Sequence, residues 1–145
     1  EDTMKKIMAL VVALSLTTFG VVFAQNFGGV TSGGAEAADS YADRTIQTIT
    51  VTDNYADLHP TANTVTLTIE YTPLTSEVHF YYECLAASYD QGEAMNTAMG
   101  VFQDFAAEHG YKHYYYKAKD KSKYFKDKDT KQRMARYSSY VYFTK

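Results

Sequence analysis

The chain has 145 residues, 46% of them hydrophobic and 21% charged, with a formal net charge of −3 and a single cysteine, Cys84. That length suits one domain resting on its own apolar core, and the lone cysteine excludes an intramolecular disulfide framework. The small net charge hides a division: residues 25–110 carry twelve acids against one cation, a net of −11, whereas residues 111–145 carry eleven cations against three acids, a net of +8. Such a split implies an internal electrostatic match or a partner for one end of the molecule.

Lys5 and Lys6 precede an uncharged, largely apolar run from Ile7 to Ala24, with the small residues Val22 and Ala24 at its end. This is the pattern of a secretory signal peptide over residues 4–24, initiated at Met4 and cleaved after Ala24. The alternative is a retained anchor, since a run of this length can span a bilayer. Residues 25–40 are small, polar and glycine-rich and read as a flexible linker, leaving a single domain at 41–145. The leader predicts an exported protein, periplasmic or extracellular, of a bacterial envelope.

Three strands are predicted next. Residues 44–53 are rich in β-branched side chains and alternate through Ile49 and Val51. Residues 64–72 alternate strictly, with Val65, Leu67, Ile69 and Tyr71 on one face and Thr66, Thr68 and Glu70 on the other. Pro73 ends that strand, and the turn at 73–76 leads into residues 77–86, with Val78, Phe80, Tyr82 and Cys84 on one face and His79, Tyr81, Glu83 and Leu85 on the other. The short connection makes these two an antiparallel hairpin with one face on the core and one toward water.

The period then changes to helical. Over residues 90–110, Met95, Ala98, Met99, Phe102, Phe105 and Ala106 form a stripe, Asp90 and Glu93 make a capping box, and Gly110 stands where a left-handed cap belongs. Alternation resumes at Tyr111 and closes as one long hairpin if the turn falls at Lys126–Asp129, pairing Tyr114 with Val141 and Tyr116 with Ser139. A short helix at 129–136, capped by Asp129 and Gln132, is the rival reading. The order strand, strand, strand, helix, strand, strand gives an α+β fold: an antiparallel sheet of about five strands with one amphipathic helix on one face. The expected core is Val65, Leu67, Ile69, Val78, Phe80, Cys84, Met95, Met99, Phe102, Phe105, Val141 and Phe143.

Two constellations could carry function. The first is the cationic tract Lys117, Lys119, Lys121, Lys123, Lys126, Lys128, Lys131, Arg133 and Arg136, placed by the hairpin in its distal half. It suits a polyanion, an anionic envelope polymer or an acidic protein, bound through counterion release. The competing reading is a solvated edge on which lysines block strand-to-strand aggregation. Tip-to-body self-association is a further outcome of the charge division. The second is an aromatic sheet face of Tyr81, Tyr115, Tyr140, Tyr142, His79 and His113, which could stack on rings or meet a partner, or simply pair across strands.

No sequence-specific nucleic acid is expected, because the aromatic run at 136–143 lacks the glycine of aromatic RNA-binding strands and follows an export leader. His109 and His113 have a zinc-like spacing but straddle a helix end and carry no second ligand pair, so no metal or cofactor is expected. Nucleophile elbows, phosphate loops, HExxH and CxxC are missing, and Cys84 and His79, five residues apart on a strand, face opposite sides. The function expected is therefore a non-catalytic binding or structural module. A small hydrolase-like enzyme with an unrecognised site is the alternative.

Overall fold

The computed structural model describes residues 44–145. The predicted leader and linker, residues 4–24 and 25–40, lie outside the described residues. Six strands and one long helix run in the order β1 (Gln47–Val51), β2 (Thr66–Thr72), β3 (Glu77–Leu85), α1 (Gln91–His109), β4 (His113–Tyr116), β5 (Lys121–Lys126) and β6 (Arg133–Thr144). All pairings are antiparallel, and the sheet runs β1-β2-β3-β6-β4, with β5 also paired to β6. The fold is the expected α+β class, with one strand more than predicted.

The extra strand comes from a break. Tyr116 lies opposite Val141, yet Lys121 lies opposite Ser138, so five residues of the outer chain pass three of β6. The two surplus residues form a bulge at 117–120 that splits one long outer strand into β4 and β5. The hairpin reading of this region holds, and the helix at 129–136 does not form. Its register is corrected by two residues: Tyr114 pairs with Phe143 and Tyr116 with Val141. A shift of two preserves the faces. Its cause is the turn, which runs from Asp127 to Gln132 and moves the β5 register by four, of which the two surplus residues of the bulge take back two at β4. Asp127 Oδ2 accepts hydrogen bonds from Thr130 N and Oγ1, both at 2.8 Å, and Lys131 takes φ 60°. Because β6 pairs with β3 from Glu77↔Tyr142 to Leu85↔Met134, the hairpin lies within the sheet.

The core lies between one sheet face and α1. Ile49, Val51, Leu67, Ile69, Tyr71, Val78, Phe80, Tyr82, Cys84, Tyr137, Val141 and Phe143 alternate inward along the strands and are buried. Phe102 of α1 meets Phe80, Tyr114 and Phe143 at ring distances of 5.7, 5.2 and 6.1 Å. Val65 is half-buried against this cluster. Two expected core residues are not in it: Met95 and Met99 are each 42% exposed. The buried stripe is Ala94, Thr97, Ala98, Val101, Phe102, Phe105 and Ala106, rotated from the predicted one so that small residues bring the helix close to the sheet. Thr97 can sit there because its hydroxyl donates to Glu93 O at 2.9 Å.

The helix caps form largely as the sequence implies. Asp90 accepts from Glu93 N at 2.9 Å, and Gly110 closes the helix at φ 70°. The Glu93 carboxylate does not return to Asp90; it accepts from Thr61 Oγ1 at 2.6 Å instead. That bond helps lash the 52–65 connection to α1, along with Tyr55 OH, which donates to Asp104 Oδ2 at 2.6 Å. The connection lies close over Gly100, where a Cβ would stand 3.0 Å from Leu58. His59 is buried inside it, with Nδ1 3.0 Å from Ala62 O and Nε2 2.9 Å from Asp53 Oδ1.

Candidate functional site: the open sheet face and its cationic edge

Alternation sends the odd residues of β3 and the even residues of β6 to the face away from α1. Cross-strand pairing then fixes their neighbours: His79 faces Tyr140, Tyr81 faces Ser138 and Glu83 faces Arg136. Tyr115 on β4 faces Tyr142. Lys121 and Lys123 on β5 face Ser138 and Arg136.

These side chains form one continuous row. His79 stacks on Tyr140 at 3.8 Å and lies parallel to Tyr81 at 6.5 Å. The Arg136 guanidinium caps the Tyr81 end at 5.6 Å, and the Lys117 ammonium caps the Tyr140 end at 5.3 Å. Each capping cation has its own carboxylate, Glu83 for Arg136 and Glu77 for Lys117. Glu77 also accepts from Tyr140 OH at 2.7 Å. The Lys117 hydrogen bond first, then that of Tyr140, hold the Glu77 carboxyl below the usual carboxylate range; the same Glu77 contact raises Lys117. Glu70 accepts from Tyr81 OH at 3.4 Å, and burial, then the Glu70 charge, raise the Tyr81 phenol.

Of the predicted aromatic residues, the structure therefore brings Tyr81, His79 and Tyr140 into one stack and Tyr115 and Tyr142 into a second pair at 5.4 Å. His113 stands apart at the start of β4, opposite Thr144. The ring faces in the central stack are turned to one another, so this face presents ring edges and hydroxyls outward.

The nine predicted cations divide by what they touch. Lys117 and Arg136 are held in the row just described, Arg136 also lying 5.2 Å over Phe125. Arg133 lies 5.0 Å over the ring of Tyr124. Lys119 sits in the break, Lys121, Lys123 and Lys126 on β5, and Lys128 and Lys131 in the turn. The side chains of these six lysines make no ion pair or hydrogen bond among the described residues, and all six are exposed. Two of the three aspartates between them are turned to other uses: Asp120 accepts from Tyr137 OH, and Asp127 caps the turn, while Asp129 is exposed in that turn.

At the break the open face is concave. A cavity of about 140 Å³ is lined by His79, Tyr81, Lys119, Lys121, Ser138 and Tyr140, together with Ala118 and Ser139. Cys84 is on the other face, buried, and burial pushes its thiol up. No group of three His, Cys, Asp or Glu able to hold a metal occurs among the described residues. Glu77 and Glu83 are the residues that sequence reasoning left without a role. Their signal was present, since each stands on the odd face of β3, but it is readable only once β3 is known to lie beside β6.

Comparison with protein-family models, curated proteins and solved structures gave no match. The function must be read from the site itself.

Proposed function

We propose that the domain is a non-catalytic binding module, exported by its leader, that holds an anionic polymer along the β5 edge and the 127–132 turn. One observation carries the reading: the cations are sorted. Those next to carboxylates or rings are engaged within the fold, while Lys119, Lys121, Lys123, Lys126, Lys128 and Lys131 are engaged with nothing among the described residues. Lysines needed only to solubilise an edge would serve equally well when paired. Six along one edge and its turn make a multivalent positive surface, and multivalency is what lets charge survive screening at physiological salt. Lysine as a compact point charge suits a flexible polymer better than one fixed bidentate contact.

The test is fluorescence anisotropy of labelled polyphosphate against the full chain over a range of salt. With six lysines engaged, log Kd should change with log salt by a slope of roughly 4, from about 0.7 per neutralised charge on a single-stranded polyanion. Reversing Lys119, Lys121, Lys123, Lys126 and Lys128 to glutamate should leave the circular dichroism spectrum unchanged and abolish binding. Retained binding by that folded variant overturns the proposal.

A further inference from the structure

We infer that the notch at the strand break is a seat for one tetrahedral oxyanion group, a phosphate or a sulfate. The inference rests on the anionic-polymer reading and narrows it from a charged edge to a chemical class.

The notch exists because the outer chain spends two surplus residues between Tyr116 and Lys121, so that beyond Lys117, whose N–H still reaches Tyr140 O at 2.9 Å, it leaves the ladder opposite Ser139 and Tyr140 and rejoins it at Ser138. Every functional group that lines it can donate a hydrogen bond: the Lys119 and Lys121 ammoniums, the His79 imidazole, the Ser138 hydroxyl and the two tyrosine hydroxyls. No carboxylate lines it. The acids nearest in the row are occupied elsewhere, Glu77 by Lys117 and Tyr140, and Glu83 by Arg136.

The tyrosine hydroxyls of Tyr81 and Tyr140 are likewise given to Glu70 and Glu77. The side chains of the two lysines, His79 and Ser138 hold no hydrogen-bond partner among the described residues. Four free donors drawn from three strands and the break converge on one point, and a tetrahedral group with three or four acceptor oxygens can meet them from several directions at once.

The site is also set in advance. His79 is clamped between Tyr81 and Tyr140, so its ring nitrogens point in fixed directions, and ordering that donor costs a ligand little. Lys119 and Lys121 supply charge without a competing partner. A polymer lying on β5 would thus have one of its anionic groups registered here, while the remaining lysines hold its neighbours by charge alone.

The experiment is a ¹H–¹⁵N NMR titration of the full chain with inorganic phosphate, with sulfate, and with chloride at matched ionic strength, beside the polyphosphate assay. Phosphate and sulfate should produce saturable shifts centred on Lys119, Lys121, His79 and Ser138, and chloride should not. The variant H79F keeps an aromatic ring in the stack and removes its donors; S138A removes the hydroxyl with no change in bulk at the strand. Each should weaken phosphate binding roughly tenfold, and the pair about a hundredfold, the loss expected for donors to a charged group, and leave the polyphosphate salt slope nearly intact. Shifts that rise without saturation over all lysines, alike for the three anions, are general screening and overturn the notch. If polyphosphate still binds in that event, the polymer reading stands without it; if neither probe binds, both fall.

Discussion

Replacing His59 by leucine is the sharpest test of how the 52–65 connection is held. The ring is 2% exposed, and both nitrogens face acceptors, Ala62 O at 3.0 Å and Asp53 Oδ1 at 2.9 Å. A carbonyl oxygen can only accept, so Nδ1 carries a proton; a carboxylate oxygen at Nε2 asks for the second. Burial by itself would lower the pKa of this histidine. The hydrogen bonds to Asp53 and to Ala62 outweigh burial and raise it. Leucine fills similar space but removes both bonds, leaving Asp53 Oδ1 with Tyr55 N at 3.1 Å. One neutral bond at about 0.5–1.5 kcal/mol and one charge-assisted bond at about 1.5–3 kcal/mol give an expected loss of about 2–4.5 kcal/mol.

The loss depends on pH in a defined sense. An unfolded histidine releases its proton near pH 6.5, and the folded one does so at higher pH. The contribution of His59 is therefore complete below about pH 6.5 and is lost as pH rises through the folded pKa, where the neutral ring would turn a lone pair toward Asp53. Urea midpoints of the wild type and H59L from pH 5.5 to 9 should show a wide gap at the acid end that narrows toward the alkaline end. Ionisations common to both proteins cancel in the difference. A gap that stays constant, or widens with pH, refutes the doubly protonated ring.

Two further outcomes are expected. F102A removes a ring in contact with Phe80, Tyr114 and Phe143 and should cost about 3–5 kcal/mol, whereas M99A, at a site 42% exposed, should shift the urea midpoint far less; equal losses would return the helix to its predicted phase. N-terminal sequencing of the natively produced protein should begin at Gln25, and an intact Met4 start on a membrane-bound product would remove the export proposal.

What the sequence made legible was whatever depends on neighbours along the chain. β2 and β3 alternate strictly and are joined by four residues, so their faces and pairing could be drawn directly. Asp90 and Gly110 marked the ends of α1. The helix phase slipped because Ala94, Thr97 and Val101 give a weak apolar signal beside Met95 and Met99, although close packing on a sheet favours the smaller residues. The break in the outer strand was hidden because Lys117–Asp120 continues the polar alternation on either side of it; the contact that goes with the break, Asp120 with Tyr137, joins residues 17 apart. At the site, parity alone put Tyr81, His79 and Tyr140 on one face. Which lysines are held internally depends on β3 lying beside β6, a pairing that crosses the whole of α1 and leaves no local mark.

The place of β6 also sets the order in which the domain can assemble. It is the last of the six strands in the sequence, yet it stands inside the sheet, with β3 along one side and β4 and β5 along the other. Until residues 133–144 are available, β1 to β3 present an unfinished flank, and β4 and β5 have no strand to join. Folding of the sheet is thus deferred until residue 144 has been made, with most of its pairing between distant segments, a topology that slows closure. It also means that a truncation ahead of residue 133 would remove a central strand and not trim an edge.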